Sequence, residues 1–131
     1  MSELPLILVV EDEYLLQGIV EEALIEAGFE TDILSSAEEA LTLFKSGTKN
    51  DKALVADVSL KGRLSGWDVA RQIRERDPTF PIVYMTGAAV DQWASHGVPN
   101  SILLNKPFAP AQLVTAVSQL LNAGSPPTAS A

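Results

Sequence analysis

The chain alternates five times between a short, continuous apolar run and a longer segment whose apolar residues recur at helical spacing. The first run lies at 5–10 and reads PLILVV, which is typical of a strand buried on both faces. Strands that alternate with helices lie parallel to one another and are joined by right-handed crossovers. The pattern therefore predicts an α/β fold, a doubly wound parallel sheet of five strands with helices on both faces.

Local signals mark where several helices begin and end. Gly28 follows the first helix, Ser36 and Glu39 form a possible capping box for the second, and Pro110 suits the first position of the last. Residues 88–96 leave room only for a short or irregular fourth helix. The strands are predicted at 5–10, 29–34, 53–57, 81–86 and 101–106.

Helical spacing also predicts which side chains face the core. Ile19 belongs to the inward face of the first helix, and Arg74 belongs to a solvated face of the third. Trp67 follows a glycine and is expected to cover the edge of the core. Trp93, in the fourth helix, is either a packing residue or an anchor for a partner. His96 is expected at the surface.

Composition limits the classes of function. The chain has 131 residues, which suits one domain, and a net charge of −8 from 9 basic and 17 acidic residues. This balance argues against direct binding to nucleic acid, because affinity for a phosphate backbone comes from Lys and Arg. The chain has no cysteine, which excludes disulfides and thiolate metal sites.

The two ends of the sequence suggest a domain at 1–122 and a tail. The N-terminal segment lacks the basic region of a signal peptide, and no stretch is long enough to span a membrane. We therefore expect a cytoplasmic protein without membrane contact. Residues 123–131 are small, polar and rich in proline, which favours disorder.

Chemically capable side chains follow four of the five predicted strands. Glu11 and Asp12 follow the first strand, Asp57 ends the third, Thr86 ends the fourth and Lys106 ends the fifth. Ligands of doubly wound folds bind beyond these carboxyl ends. If the first and third strands are neighbours, three carboxylates meet in one crevice, with a hydroxyl and an ammonium group close by.

Three neighbouring carboxylates require compensation. Two unit charges 4 Å apart repel by about 4 kcal/mol at an effective dielectric constant near 20. Without a cation, at least one carboxyl would hold a proton. Mg²⁺ resolves the conflict, since it takes oxygen ligands and keeps positions open for phosphate oxygens. With Lys106 and Thr86 added, the set suits phosphoryl transfer to a carboxylate nucleophile.

Each of these residues also has an ordinary structural explanation. Asp57 could cap a helix, and Glu11 and Asp12 could stabilise the N-terminus of the first helix through its dipole. Thr86 could be a plain strand residue, and Lys106 could be a solvated loop lysine. The functional interpretation depends on their occurring together, each at the end of a strand.

Four segments in order resemble the receiver domain of two-component response regulators: LILVVEDE, LVADVSL, VYMTGA and LLNKPF. The resemblance runs from about Leu6 to Leu121. It implies a flavodoxin-like strand order of 2-1-3-4-5 and a cis bond before Pro107. No single segment is specific, but their order and their placement at strand ends are.

The resemblance also implies a role for each residue. Asp57 would be the phosphoacceptor and Lys106 the lysine that contacts the phosphoryl group. Glu11, Asp12 and Asp57 would bind Mg²⁺ together with the backbone carbonyl of Ser59. Thr86 would be the hydroxyl that switches position when Asp57 is phosphorylated.

The implied function is a stand-alone receiver that takes a phosphoryl group from a sensor histidine kinase or a phosphotransfer protein. Its only reactions would be phosphorylation and dephosphorylation of Asp57. The surface of helix 4 and strand 5 would then change and signal to a downstream protein that the sequence does not identify. A homodimer is possible, and no direct contact with nucleic acid is expected.

The sequence departs from the common pattern of this family in three places. The loop from Asp57 to Gly66 is one residue longer and lacks a Met-Pro pair. Leu103 stands where an aromatic residue is common, and the fourth helix is short. The segment PIVYMTGA is similar to that of a subgroup of stand-alone receivers that also lack this aromatic residue.

Two other functions remain open from the sequence. The first is a small Mg²⁺-dependent phosphohydrolase that uses an aspartyl phosphate on a metabolite. It would need a cap or a specificity loop, for which the chain has no room. The second is a degenerate receiver that acts only as a binding module.

Overall fold

The computed structural model describes residues 4–123. The predicted disordered tail lies outside this range, apart from Ala123, which ends the last helix. The elements are β1 (Leu6–Val10), α1 (Tyr14–Glu26), β2 (Glu30–Leu34), α2 (Ala37–Ser46), β3 (Asp51–Asp57), α3 (Gly66–Arg76), β4 (Ile82–Thr86), a 3₁₀ turn (Val90–Gln92), α4 (Trp93–His96), β5 (Ile102–Asn105) and α5 (Pro110–Ala123).

All strand pairs are parallel, and the order across the sheet is β2-β1-β3-β4-β5. The predicted fold class and strand order are therefore confirmed. Val10 pairs with Ala56, and Asp57 pairs with Met85, so β1, β3 and β4 end at nearly the same level. This register brings the residues after β1 beside the last residue of β3.

Strand β3 begins two residues earlier than predicted. Asp51 and Lys52 are unfavourable in isolated strands, which is why the sequence predicted a start at residue 53. Pairing of Asp51 with Leu6 of β1 nonetheless extends the ladder. As a result, an aspartate lies at each end of β3.

Each face of the sheet carries its own apolar core. Side chains of successive strand residues point to opposite faces, so Leu8 and Leu54 lie in one core and Val9 and Val55 in the other. Helices α2 and α3 cover the first face, and α1 and α5 cover the second. Within residues 4–123, no helix has both the length and the apolar composition needed to cross a bilayer.

Capping fixes where α3 begins. The Ser65 hydroxyl accepts the Asp68 N–H at 3.2 Å, and the Asp68 carboxylate accepts the Ser65 N–H at 2.8 Å. This reciprocal box holds the end of the loop that leaves β3. Of the capping box predicted at α2, only one of the two hydrogen bonds is present among residues 4–123. The Ser36 hydroxyl accepts the Glu39 N–H at 3.1 Å.

Two predicted side-chain placements were wrong. Ile19 is 49% exposed, because α1 turns this position away from the sheet. Arg74 was assigned to a solvated face, but it folds back over the connection after α3. Its Nε donates to the Phe80 carbonyl at 2.6 Å, and Nη1 donates to the Pro99 carbonyl at 2.7 Å. Its long apolar stem allows the guanidinium to reach these backbone acceptors.

The segment between β4 and β5 is short and irregular, as predicted. Side-chain hydrogen bonds, and not a long helix, fix the conformation of this segment. The Tyr84 hydroxyl accepts the Val98 N–H at 3.0 Å, and Trp93 Nε1 donates to the Ser101 hydroxyl at 2.9 Å. Trp93 is thus tied to the fold and still 39% exposed. Trp67 is buried as expected and packs on Tyr84 with ring centroids 4.5 Å apart.

Candidate functional site

Three carboxylates meet at the carboxyl edge of the sheet. Glu11, Asp12 and Asp57 each place one oxygen within 4.8 Å of the others. Glu11 and Asp57 are buried, and Asp12 is half-buried. The strand register causes this convergence, since β1 and β3 are neighbours and end together. The structure therefore brings together the acidic residues selected from the sequence.

Backbone contacts fix the Glu11 side of the pocket. Its carboxylate accepts the Glu13 N–H at 2.9 Å, and its own N–H donates to the Leu34 carbonyl at 3.0 Å. The Gln17 amide reaches back from α1 to the Glu11 carbonyl at 2.5 Å. Glu11 is thus held by contacts to α1 and β2 as well as by burial.

Lys106 provides the positive charge of the pocket. Its Nζ lies 3.1 Å from Asp57 Oδ1 and 3.4 Å from Glu11 Oε1. Its backbone N–H donates to the Thr86 carbonyl at 2.8 Å, which continues the pairing of β5 with β4. The Lys106–Pro107 bond is cis, as expected. The lysine follows the strand end and points into the pocket between two acidic residues.

Burial and charge act in opposite directions on these groups. Burial raises the pKa of Asp57, the Lys106 hydrogen bond and charge oppose this, and the Asp12 charge adds to it. Burial also raises the pKa of Glu11, against the Glu13 N–H that lowers it. Burial acts to lower the pKa of Lys106, but its hydrogen bond to Asp57 and the charges of both carboxylates raise it overall.

The donor set fits a hard divalent cation. Three carboxylates and one ammonium leave two negative charges when all are ionised. A divalent ion balances that excess, and carboxylate oxygens are ligands that Mg²⁺ accepts. The raised pKa of two of the carboxyls reflects the same uncompensated charge and burial. The residues present can therefore hold Mg²⁺ at this edge.

Thr86 lies at the same edge but makes a different contact. It is 1% exposed, and its hydroxyl oxygen accepts the Ala88 N–H at 3.2 Å and the Ala89 N–H at 2.9 Å. A hydroxyl that accepts two N–H groups can still donate its own hydrogen. In this arrangement Thr86 orders the loop after β4.

An aromatic side chain does occupy the region next to Leu103. Tyr84 of β4 pairs with Leu103 of β5, so the two side chains share a face of the sheet. Tyr84 is fully buried, while Leu103 is half-buried. Leu103 packs against the core cluster that contains Tyr84.

The loop after β3 makes a contact that the sequence did not predict. Ser59 lies in this loop and is exposed, and its carbonyl as a metal ligand stays a prediction. The Lys61 N–H donates to Asp12 Oδ2 at 3.0 Å. The extra residue between Asp57 and Gly66 was the one sequence signal that this loop is unusual, but it does not indicate that the Lys61 N–H points at Asp12. Asp12 is thus oriented by the loop as well as by β1.

Residues 7–118 match the protein family described as response regulator receiver domain. The chain is 31% identical over 126 residues to a probable transcriptional regulator from Cyanophora paradoxa, covering 95% of this chain and 51% of that protein. It is 29% identical over 120 residues to the transcriptional regulatory protein CusR of Escherichia coli, covering 90% of this chain and 52% of that protein. The chain spans about half the length of these curated relatives.

Solved structures agree in fold and sequence. A response regulator receiver protein from Sinorhizobium medicae is 48% identical and superimposes with a TM-score of 0.90, covering 92% of this chain and 97% of that one. A putative response regulator from Chloroflexus aurantiacus is 29% identical with a TM-score of 0.80, covering 91% of this chain and 98% of that one. Both similarities extend over nearly the whole sheet and its helices.

Proposed function

Because this chain belongs to the response regulator receiver domain family of two-component signalling, we propose that Asp57 is its phosphoacceptor. The supporting observation is the placement of this carboxylate at the end of β3. It is buried, Lys106 Nζ lies 3.1 Å from Oδ1, and two further carboxylates lie within 4.8 Å. Asp57 is the member of this group that the ammonium approaches most closely.

The reaction is a displacement at phosphorus. An Asp57 oxygen attacks the phosphorus of a phosphohistidine on a histidine kinase or a phosphotransfer protein. The new O–P bond forms as the P–N bond breaks, and the imidazole leaves with the electron pair and takes up a proton. Phosphorylation adds about −1.5 to −2 charge and three acceptor oxygens at Asp57. Phosphorylation and hydrolysis at Asp57 are the only reactions assigned to the domain.

Glu11, Asp12 and Asp57 would hold Mg²⁺, with the Ser59 carbonyl as a further ligand. When bound, the ion supplies positive charge that the transferring phosphoryl oxygens need. Glu11 contributes directly or through a water molecule. Asp57 lies beside the other two carboxylates, so that all three could contact one ion, and its burial excludes much of the competing solvent.

Lys106 and Thr86 act on the phosphoryl oxygens. The Lys106 ammonium is a compact positive charge, and its contact can shift from the Asp57 carboxylate to one of these oxygens. Thr86 turns its hydroxyl toward another and gives up its contacts with the N–H groups of Ala88 and Ala89. The loop after β4 is thereby released, and the surface around α4 and β5 changes. That surface is the output of the domain.

The partners follow from this chemistry. The donor presents a phosphohistidine, and a downstream protein or a second copy of the domain reads the altered α4–β5 surface. The net charge of −8 argues against direct contact with DNA. The relatives named as transcriptional regulators are about twice as long as this chain, and that name is theirs.

The other two functions are less well supported. A phosphohydrolase needs a cavity for its substrate beside the nucleophile. A broad depression of about 1150 Å³ lies at the opposite edge of the sheet, away from Asp57, beside Lys52, Arg74 and Gln119. An inert binding module would not need Lys106 directed at two buried carboxylates.

Incubation with acetyl phosphate and Mg²⁺, followed by intact-mass measurement, tests the proposal. We expect the gain of one phosphoryl group in the wild-type protein and in Asp51→Asn, and none in Asp57→Asn. Asp51 is a matched control because it is a buried aspartate at the other end of the same strand. Unchanged wild-type mass would indicate an inert module, and rapid consumption of many equivalents would indicate a hydrolase.

A further inference from the structure

The loop between β3 and α3, residues 58–65, is hydrogen-bonded to β4 at its first residue, and its two ends are hydrogen-bonded to each other. The Val58 N–H donates to the Met85 carbonyl at 2.9 Å, and the Gly66 N–H donates to the Val58 carbonyl at 3.0 Å. A Cβ added at Gly66 would lie 2.3 Å from the Asp57 carbonyl oxygen. Both ends of the loop therefore lie beside Asp57.

The middle of this loop is held by a carboxylate from a different element. Glu38, the second residue of α2, accepts the Arg63 N–H at 3.0 Å and the Leu64 N–H at 3.1 Å through its Oε2. Gly62 has a φ of +108°, and a Cβ added there would lie 3.2 Å from Glu38 Oε1. The carboxylate therefore packs directly under the loop, at a position whose backbone favours glycine.

The same loop contacts the acidic pocket through Lys61, whose N–H donates to Asp12 Oδ2 at 3.0 Å. Residues 61–64 therefore give three N–H groups to two carboxylates, one in the pocket and one in α2. Because Gly62 joins the two contacts, movement of the loop away from Glu38 would also move Lys61 away from Asp12.

We propose that Glu38 is a positioning residue for the metal site, a role that rests on the proposed function of the acidic pocket. By holding the N–H groups of Arg63 and Leu64, it keeps the Lys61 N–H on Asp12. It thereby sets the orientation of the Asp12 carboxylate and restricts the part of the loop that contains the Ser59 carbonyl. Contacts that orient metal ligands in this way commonly change metal affinity by about 10- to 100-fold.

The electrostatics of Glu38 suit this role. Hydrogen bonding from its own backbone N–H has the largest effect and lowers its pKa, burial opposes this, and the N–H groups of Arg63 and Leu64 add to the lowering, so the pKa is lowered overall. The carboxylate is therefore ionised at neutral pH. Hydrogen bonds to an ionised acceptor are shorter and stronger than neutral ones. The positive end of the α2 dipole adds to this preference.

Glu39 provides a matched control. It lies beside Glu38 in the first turn of α2, so both carboxylates interact with the same helix dipole. The Glu39 side chain is exposed, and its residue contacts Ser36 through the backbone N–H. Glu39→Gln therefore removes the helix-terminal charge without removing an acceptor from the loop.

The first measurement is amide hydrogen exchange in Mg²⁺-free protein, at Lys61, Arg63 and Leu64. Glu38→Gln should accelerate exchange at all three by about tenfold, because Gln offers a neutral acceptor in place of a charged one. Glu39→Gln should leave the three rates unchanged. Thermal unfolding of each variant gives the change in overall stability. If Glu38 only stabilised the fold, Glu38→Gln would lower this stability without faster exchange confined to Lys61, Arg63 and Leu64.

The second measurement is Mg²⁺ affinity by calorimetry. We expect binding about tenfold weaker in Glu38→Gln and unchanged in Glu39→Gln. Gly62→Ala should also weaken Mg²⁺ binding, although Glu38 is unchanged, because it strains the loop at a positive φ. This variant also serves if Glu38→Gln does not fold.

The outcomes separate this proposal from the function on which it rests. Wild-type protein that binds no Mg²⁺ would overturn both. Normal wild-type binding that Glu38→Gln leaves unchanged would overturn only the role of Glu38, as would equal weakening by Glu39→Gln. Faster loop exchange with weaker Mg²⁺ binding, confined to Glu38→Gln and Gly62→Ala, supports the proposal.

Discussion

Strand β3 carries a buried aspartate at each end, and the two ends differ in what surrounds the carboxylate. Asp51 is 8% exposed and Asp57 is 5% exposed. Burial raises the pKa of both. Residue type, strand and burial are thus nearly the same at the two ends, so the difference between them comes from their neighbours.

At the Asp57 end, a lysine lies against the carboxylate at 3.1 Å. At the Asp51 end, neither carboxylate oxygen has a hydrogen-bond partner among residues 4–123. Its acidic neighbour Asp32 raises its pKa further, and Lys49 lies 3.7 Å from Asp32. The pKa of Asp51 is accordingly about 6.

The two buried carboxylates differ in whether a positive charge lies against them. A carboxylate in a poorly solvated place either gains a fixed positive neighbour or holds a proton. Asp57 has Lys106 and two further carboxylates that can share a cation. Asp51 has an acidic neighbour and a half-exposed lysine, so it holds its proton up to a higher pH than an ordinary aspartate, with a pKa of about 6.

The largest expected effect tests the cation at the Asp57 end. Lys106→Met should slow phosphorylation by acetyl phosphate by about 100-fold, because it removes a fixed charge from the developing phosphoryl oxygens. Lys49→Met, the matching change at the other end, should leave the rate unchanged. Time courses of phosphoprotein formation give both rates. Equal rates in the two variants would show that the ammonium of Lys106 is not what distinguishes the ends.

The next effect is on stability at the Asp51 end. The folded-state pKa of about 6 lies above the ordinary value of 3.8, so the folded protein holds this proton more tightly than the unfolded chain. Stability from this group is therefore greatest below about pH 4, is lost as pH rises to about 6, and stays lost above it. The roughly two-unit difference corresponds to at most about 3 kcal/mol.

Asp51→Asn removes this dependence. The variant should be more stable than wild type at pH 8, by up to about 3 kcal/mol, and the advantage should disappear as the pH falls toward 4. Urea unfolding at several pH values measures the difference. Comparison with wild type at each pH cancels other carboxyls, such as Asp68, whose pKa is lowered by the Ser65 N–H. A difference that does not vary with pH would contradict the assignment.

The smallest effect concerns Lys49. Its contact with Asp32 is long, and its side chain is 49% exposed, so solvent screens most of the attraction. Lys49→Met should lower the free energy of unfolding at pH 7 by less than about 1 kcal/mol. It should also move the pH-dependent loss of stability upward, because the Lys49 charge lowers the pKa of Asp51. A large loss of stability would mean that this lysine compensates Asp51 as Lys106 compensates Asp57.

Much of the carboxyl edge was predictable from local sequence. Strand ends could be located from apolar runs, and parallel strands place their carboxyl ends at one edge. Glu11, Asp57 and Lys106 were selected on that basis, and the structure brings them together. The Asp51 end was not predicted, because Asp51 and Lys52 look like loop residues until pairing with β1 extends the strand.

Loop and side-chain contacts were also beyond the sequence. Glu38 was not singled out from the sequence, and its contact with Arg63 spans 25 positions. Arg74 was assigned to the surface, although its donors reach backbone carbonyls after α3. Such contacts depend on how two elements approach each other, which periodicity does not specify.

Apolar periodicity was enough to predict the alternation of strands and helices, and with it a parallel sheet whose acidic residues, hydroxyl and lysine gather at one edge. The sequence placed Lys106 near Asp57, but only the folded structure shows that its ammonium contacts both Asp57 and Glu11 and that Asp51 is buried without such a contact. Lys106 reaches Asp57 across 49 positions and Glu11 across 95. The physical reason is that electrostatic compensation acts over a few ångströms in space, whereas the patterns readable in a sequence extend over one or two turns of chain.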